Sequence, residues 1–137
     1  MRYWLLKSEP VKYSWDRLVA DGRTHWDGVR NYQAANNLKA MKRGDRAFFY
    51  HSNEGLAIVG VVEIVKEAYP DPGDATGRFV MVDVKPLHPV KTPVTLAAIN
   101  SAPRLKDFAL VRQSRLSVVP VAEAEWRIIS KLAGVAG

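Results

Sequence analysis

The sequence predicts an α+β fold in which five or six strands form a small barrel or pseudo-barrel with short helices at its rim. Runs of aromatic and β-branched residues recur along the chain, whereas helical periodicity is limited to short stretches. The 137 residues, 47% of them hydrophobic, are enough to bury one core, so we expect a single domain over residues 1–137. A two-layer open sheet is the alternative arrangement of the same elements.

Five segments have the composition of strands. They are Tyr3–Lys7, Arg46–His51, Ala57–Lys66, Phe79–Lys85 and Arg115–Val119. Gly60 interrupts the third segment and predicts a bulge or a close packing contact. Pro86–Pro93 contains three prolines, so it is expected to be an edge or irregular segment. Tyr69–Gly77 reads as a turn-rich loop within the domain.

Four helices are predicted from capping residues and periodicity. Ser14 is a suitable N-cap for a short helix that ends near Gly22. A further short helix is expected over Leu96–Ser101. The last helix runs from about Val121 to Leu132 and turns Trp126 towards the core.

Another helix, second in chain order, is predicted to begin near Asn31. Ala34, Leu38 and Met41 follow at helical spacing and form an apolar stripe, and Asn31 is expected to face inward with them. An inward amide needs a hydrogen-bond partner, which could be the preceding loop or a ligand. Gly44 suits the C′ position of this helix.

Composition and charge limit the classes of function. The net charge of +6 favours a polyanionic partner, nucleic acid above all, over a basic protein without one. The absence of cysteine excludes disulfides, thiolate zinc sites and a thiol nucleophile, and the three histidines lack metal-ligand spacing. We therefore expect no metal and no cofactor. Charges at Lys7 and Glu9 come too early for a signal peptide, and no apolar run could span a bilayer, so we expect a cytoplasmic protein without membrane contact.

Three polar clusters are hard to explain by packing alone: Lys7–Pro10, Trp26–Asn31 and Tyr50–Asn53. The first and third lie at strand ends and the second leads into a helix, where backbone N–H groups lack partners. Strand alternation places Phe49 and His51 on one face. These clusters are therefore expected to meet at one site.

Individual residues in these clusters leave alternatives open. Trp26 is either a core residue or a flat wall for a planar ligand. His51 is either a general base or a satisfied strand histidine, and Glu9 is an acid or base with no second carboxylate in its cluster. No phosphate-binding glycine loop, nucleophile elbow or other catalytic motif is visible, so we expect no enzyme. Arg112 and Arg115 could line a groove that follows a phosphate backbone.

The stretches YWLLKSEP, YSWDRL, WDGVRNYQAANNLKAMKRGD, FFYHSN, GVVEIVKEAYPDP, FVMVDV and RLSVVPV resemble the EVE domain family in order and cover nearly the whole chain. The resemblance implies a PUA-like fold, a mixed pseudo-barrel. EVE domains are similar to YTH domains, which read N6-methyladenine in RNA through an aromatic cage, and they are associated with modified cytosines in DNA. The two further tryptophans of a YTH cage have no counterpart here, which leaves Tyr32, Phe49, Tyr50 or His51 to close the pocket.

The predicted ligand-binding residues follow from the clusters and the resemblance together. They are Lys7, Ser8, Glu9, Trp26, Val29, Arg30, Asn31, Tyr32, Tyr50, His51, Ser52 and Asn53. The residues predicted to contact a nucleic-acid backbone are Arg30, Lys39, Arg112 and Arg115. We expect a monomeric module that reads a modified base, either a modified cytosine in DNA or a methylated adenine. The alternatives are an enzyme using His51 and Glu9, or a small-molecule sensor that binds a nucleoside-like ligand.

Overall fold

The computed structural model describes residues 1–135 and confirms the fold class, a mixed β-sheet bordered by short helices. The strands are β1 (Tyr3–Ser8), β2 (Thr24–Trp26), β3 (Arg46–His51), β4 (Ala57–Pro70), β5 (Val80–Thr95) and β6 (Val118–Val121). They form a six-stranded sheet in the order β2-β5-β4-β3-β1-β6. β1 runs parallel to β3, and the other neighbouring pairs are antiparallel. Within residues 1–135 the edge strands β2 and β6 do not pair, so the sheet is not closed into a full barrel.

The helices are short and lie between or after the strands. They are α1 (Trp15–Asp21), α2 (Tyr32–Ala40), α3 (Leu96–Asn100), α4 (Ala109–Arg112) and α5 (Glu123–Ala133), with a 3₁₀ turn at Pro103–Leu105. The predicted caps of α1 are confirmed, because the Ser14 side chain accepts the Arg17 N–H and Gly22 adopts φ 74°. The 3₁₀ turn and α4 were not predicted. None of the helices described is long and apolar enough to cross a membrane.

β5 extends ten residues beyond the predicted strand and includes all three prolines of Pro86–Pro93. Several register shifts against β4 accommodate them, one of them at Gly60. The short strand β2 pairs only with Val82–Val84, so in the described chain the proline-rich part pairs with β4 alone. The predicted edge or irregular segment is confirmed, because among residues 1–135 this part of β5 pairs on one side only and its pairing with β4 is interrupted by register shifts.

Two details of the predicted second helix are wrong. Asn31 is exposed rather than inward, because it is the N-cap of α2 and its Oδ1 accepts the Ala34 N–H at 2.9 Å. Gly44 is not the C′ residue, since α2 ends at Ala40 and Gly44 lies in the turn before β3 with φ 94°. Buried Asp45 accepts the Lys42 N–H at 3.0 Å and so fixes this turn.

Successive phenylalanines of β3 pack against different groups of rings. Phe48 stacks on Trp126 of α5 with ring centroids 3.9 Å apart, and Trp126 also stacks on Tyr3 at 4.4 Å. We call this the closed face.

Phe49 contacts Trp15 and Trp26 edge to face, at 5.5 and 5.6 Å, on what we call the cavity face. The predicted pairing of Phe49 and His51 on this face is confirmed by a ring separation of 5.7 Å. A Cβ atom on Gly60 would lie 2.4 Å from the Trp15 ring, which confirms the predicted close packing contact.

Candidate functional site

A cavity of about 830 Å³ opens where the end of β1, strand β2 and the segment before β6 meet. Its lining combines aromatic, apolar, hydroxyl, amide, cationic and acidic residues. They are Lys7, Ser8, Glu9, Lys12, Tyr13, Thr24, His25, Trp26, Asp27, Gly28, Val29, Arg30, Asn31, Ser52, Ser114, Arg115 and Ser117. The Lys7–Pro10 and Trp26–Asn31 clusters therefore meet, as predicted, and Ser52 joins them from the third cluster. The volume suits a small ligand or a single nucleotide.

Trp26 forms an apolar wall of this cavity and also belongs to the core. Its side chain is held by the pairing of β2 with Val82 of β5 and by the edge of Phe49. Only 8% of Trp26 is exposed. Trp26 is therefore both a core residue and a wall of the cavity, which were the two alternatives that the sequence left open.

The turn that carries Trp26 into α2 is fixed by the buried carboxylate of Asp71. Asp71 accepts hydrogen bonds from the Gly28 N–H at 2.9 Å, the Arg30 guanidinium at 2.9 Å and the Gly73 N–H at 2.8 Å. Burial alone would raise the pKa of Asp71, but these hydrogen bonds outweigh it and the pKa is lowered. Gly28 itself adopts φ 75°, which favours glycine. The turn is therefore held in one shape before any ligand arrives.

Polar groups at the end of β1 form another part of the lining. Lys7 donates from Nζ to the Ser114 carbonyl at 2.8 Å, and burial lowers the pKa of Lys7. Ser8 donates from Oγ to the Tyr13 carbonyl at 2.5 Å, while its own carbonyl accepts the Ser52 N–H at 2.9 Å. These bonds position the side chains and leave the Ser8 oxygen able to accept a further hydrogen bond.

Asn31 lies at the junction of the cavity with a second groove of about 360 Å³. Its Oδ1 is used by the cap of α2, which leaves the amide Nδ2 as a donor towards a ligand. The second groove shares Asn31, Ser114 and Arg115 with the cavity and also contains Arg112. Arg112 and Arg115 are thus brought to one opening, as their sequence positions suggested. Lys39 lines neither space.

The rest of the Tyr50–Asn53 cluster does not line the cavity. Tyr50 is buried in the core, and burial raises its pKa. His51 accepts the Trp15 N–H through Nε2 at 3.1 Å at the start of α1, and burial lowers its pKa. Asn53 adopts φ 65° and donates to Glu9 at the edge of the cavity, where Glu9 also pairs with Lys12 at 2.8 Å.

Tyr32 also lies outside the cavity, with 62% of its surface exposed. Of the four aromatic side chains expected to close the pocket, Tyr32, Phe49, Tyr50 and His51, none appears in its lining. Phe49 contributes only indirectly, by packing edge to face against Trp26.

A polar cluster beside β2 was missed in the sequence. Buried Asp83 accepts hydrogen bonds from Arg23 at 2.8 Å, from His25 Nδ1 at 2.9 Å and from the Tyr69 hydroxyl. Burial alone would raise the pKa of Asp83, but these bonds lower it to about 2. Burial and the bond to Asp83 raise the pKa of Tyr69 to about 12. The cluster holds His25 at the cavity edge. No local sequence pattern indicates this cluster, because its members come from distant segments of the chain.

The comparisons with known proteins identify the family and agree with the fold. The sequence model of the EVE domain matches residues 2–132. Thymocyte nuclear protein 1 of Gallus gallus is 40% identical over 165 positions, covering 95% of this chain and 68% of that protein. Among solved structures, Rpa0253 from Rhodopseudomonas palustris has a TM-score of 0.93 at 57% identity, covering 98% of this chain and 94% of that one. Human THYN1, solved in complex with 5-methylcytosine-containing DNA, has a TM-score of 0.91 at 36% identity and covers 100% of both chains.

The predicted likeness to YTH domains is confirmed as a likeness of fold. The YTH domain of Zygosaccharomyces rouxii MRB1, solved with N6-methyladenosine RNA, has a TM-score of 0.58 at 19% identity, covering 96% of this chain and 86% of that one. At 19% identity the likeness extends to the fold alone and not to the ligand.

Proposed function

The chain belongs to the EVE domain family, and from that premise we propose that it binds nucleic acid and holds one modified base in the cavity beside Trp26. A modified cytosine in DNA is the preferred ligand. The observation that carries the proposal is the human relative, which was crystallised with 5-methylcytosine-containing DNA and matches this chain over its whole length. The cavity supports it independently through its size and mixed lining.

The lining suggests how a base is bound. A base that leaves its stack can enter the cavity and place one face against Trp26, an interaction worth about 1–3 kcal/mol. Asn31 Nδ2 and the Ser8 and Ser52 oxygens are available to the polar edge of the base. A methyl group in an apolar part of the pocket adds about 1–3 kcal/mol of selectivity. Because Asp71 and Asp83 already hold the turn and β2, little ordering is required on binding.

The cations at the opening differ in how freely they can meet phosphates. Arg115 forms no salt bridge within the described residues, so its guanidinium is available to a backbone phosphate. Arg112 pairs with Asp107 at 3.3 Å, but both side chains are more than half exposed and the pair is easily exchanged. Arg30 pairs with Asp71 at 2.9 Å, so its guanidinium is already used to fix the Trp26–Asn31 turn.

Binding without turnover fits the contacts of the two candidate catalytic residues. His51 uses Nε2 to accept the Trp15 N–H and does not reach the cavity lining. Glu9 is engaged by Lys12 and Asn53. A general base must lie within hydrogen-bond reach of the proton it removes, so His51 is not placed to act on a nucleobase in the cavity.

The test is a binding comparison with matched oligonucleotides at fixed, near-physiological salt. Each oligonucleotide carries cytosine, 5-methylcytosine, 5-hydroxymethylcytosine, adenine or N6-methyladenine at one position, in single- and double-stranded DNA and RNA. We expect one modified base to bind at least about tenfold more tightly than its parent, a difference of roughly 1.4 kcal/mol. Trp26→Ala should remove this preference, and Trp26→Phe should retain part of it.

Trp126→Phe is the matched control, because it changes a tryptophan on the closed face and should leave the preference intact. Thermal unfolding of each variant shows whether it is folded. Equal binding of all oligonucleotides by the wild type, or an unchanged preference in a folded Trp26→Ala variant, would contradict the proposal.

A further inference from the structure

An exposed aromatic and basic surface adjoins the Trp26–Asn31 turn and shares Arg30 with the cavity. Tyr32 follows the cavity residue Asn31 directly and is 62% exposed. Its ring lies 5.3 Å from that of Phe79, with the planes inclined by 33°. We call Tyr32, Phe79, Arg30 and Arg78 the aromatic rim.

Two guanidinium groups border these rings. Arg78 donates from Nη1 to the Tyr32 hydroxyl at 3.2 Å. The Arg30 guanidinium carbon lies 5.4 Å from the centre of the Phe79 ring. The rim therefore combines an open aromatic face with two planar cations, which is the combination that meets the base and the phosphate of a nucleotide.

The rim is fixed to the cavity by buried and loop carboxylates. Asp71 holds both Arg30 and the Gly28 N–H of the turn. Asp74 accepts the N–H groups of Arg78 at 2.9 Å and Phe79 at 2.8 Å, which shapes the loop between β4 and β5. A ligand held in the cavity and one on the rim would thus keep a constant relative position.

Packing alone does not account for this surface. Single exposed hydrophobic residues are common in soluble proteins and need no explanation. Here the exposed ring is accompanied by a second ring and two arginines from separate segments, all joined to the turn that forms the cavity wall. Arg30 has a counter-charge in Asp71, but an apolar protein partner would leave the Arg78 guanidinium without one, whereas a nucleotide supplies both a flat face and a negative charge.

We propose that the aromatic rim is a second nucleotide-binding site, on which Tyr32 stacks the base adjacent to the one held in the cavity. The choice of ligand rests on the proposed function, because a flanking base is present only when the chain binds an oligonucleotide. The rim would contribute affinity for any sequence, since every base has a face that can stack. The modification would still be read in the cavity alone.

The experiment combines Tyr32→Leu with oligonucleotides that lack one base. The wild type, Tyr32→Leu and Tyr32→Phe bind a 5-methylcytosine oligonucleotide, its unmodified parent, and versions with an abasic site immediately 5′ or 3′ of the modified position. We expect Tyr32→Leu to weaken binding of both intact oligonucleotides about tenfold, as loss of one stacked base does, and to leave their ratio unchanged. Tyr32→Phe keeps the ring and should bind within about twofold of the wild type.

The abasic oligonucleotides provide the decisive comparison. If Tyr32 stacks on a flanking base, one of the two abasic sites should remove the difference between the wild type and Tyr32→Leu. An unchanged affinity in Tyr32→Leu, or an equal loss with and without each flanking base, overturns the proposal and leaves the rim as a surface for another partner. Coupling with a flanking base in a protein that shows no preference for the modified base would support the rim while contradicting the proposed function.

Arg78→Gln gives an independent reading if Tyr32→Leu fails to fold. Arg78 is exposed, and the substitution leaves the cavity lining unchanged. If this guanidinium meets a phosphate, the slope of log affinity against log salt should fall by about 1. An unchanged slope would count against the rim as a nucleotide site.

Discussion

The two faces of β3 use tryptophan in different ways. On the closed face, Trp126 is 2% exposed and lies between the rings of Tyr3 and Phe48, with stacking contacts on both sides. On the cavity face, Trp26 touches Phe49 only edge to face, at an interplanar angle of 86°, and also borders the cavity. The first arrangement uses the indole fully for packing, whereas the second leaves part of it at the cavity wall.

The two regions also differ in what holds them together. The closed face is held by stacked rings, whose contribution does not depend on pH. The edge of the cavity is held by two buried carboxylates, Asp71 and Asp83, which gather N–H and O–H donors from separate segments. The two regions thus depend on different kinds of contact, and substitutions should separate them.

The largest expected effect is on the closed face. Trp126→Ala removes a side chain packed between two rings and should lower the free energy of unfolding by about 3–5 kcal/mol, measured by urea denaturation. Trp26→Ala should cost about 1–2 kcal/mol less, since the space it leaves joins a cavity that water already reaches. Equal costs for the two variants would contradict the distinction between the faces.

The elements of both faces could largely be predicted, because they depend on local patterns. The runs at Tyr3–Ser8 and Arg46–His51 show strand composition, and Ser14 and Gly22 mark the ends of α1. β2 could not be found in this way, since three residues show no alternation and form a strand only because β5 lies beside them. The continuation of β5 through its three prolines could not be predicted for the same reason, because the register shifts that accommodate them belong to the pairing with β4.

The site was predicted less completely than the fold. Lys7, Ser8 and Trp26 line the cavity as expected, since strand ends and turns meet there. Tyr32 and His51 do not, because one is turned outward at the start of α2 and the other is used by the N-terminus of α1. The anchors Asp71 and Asp83 were missed because a carboxylate in a turn or a strand gives no sign of the distant donors it will bind.

An intermediate effect is expected where the cavity face is packed most tightly. Gly60→Ala would place a methyl group 2.4 Å from the Trp15 ring, so the ring or the strand must move. We expect a loss of about 1–3 kcal/mol in the free energy of unfolding, measured by urea denaturation. The loss should be smaller in a Trp15→Leu background, where the conflicting ring is absent. The same loss in both backgrounds would show that the Trp15 contact is not the cause.

The smallest expected effect concerns Asp83 and depends on pH. The bonds from Tyr69, His25 and Arg23 overcome burial and hold the folded-state pKa of Asp83 at about 2, below its usual value. Its stabilising contribution is therefore complete above about pH 5 and is lost progressively as the pH falls from there towards 2. Because the Arg23 and His25 side chains are more than half exposed, we expect Asp83→Asn to cost only about 1–2 kcal/mol at pH 6.

The measurement for Asp83 is the difference in unfolding free energy between the wild type and Asp83→Asn at pH 6, 4 and 3. This difference isolates Asp83 from the other carboxylates, which titrate in both proteins, and it should shrink as the pH falls. Asp107→Asn is the matched control, because that side chain is 75% exposed and its pair with Arg112 is on the surface. A difference for Asp83→Asn that stays constant with pH would mean that the carboxylate charge does not hold the cavity edge, and the contrast with the pH-independent closed face would fail.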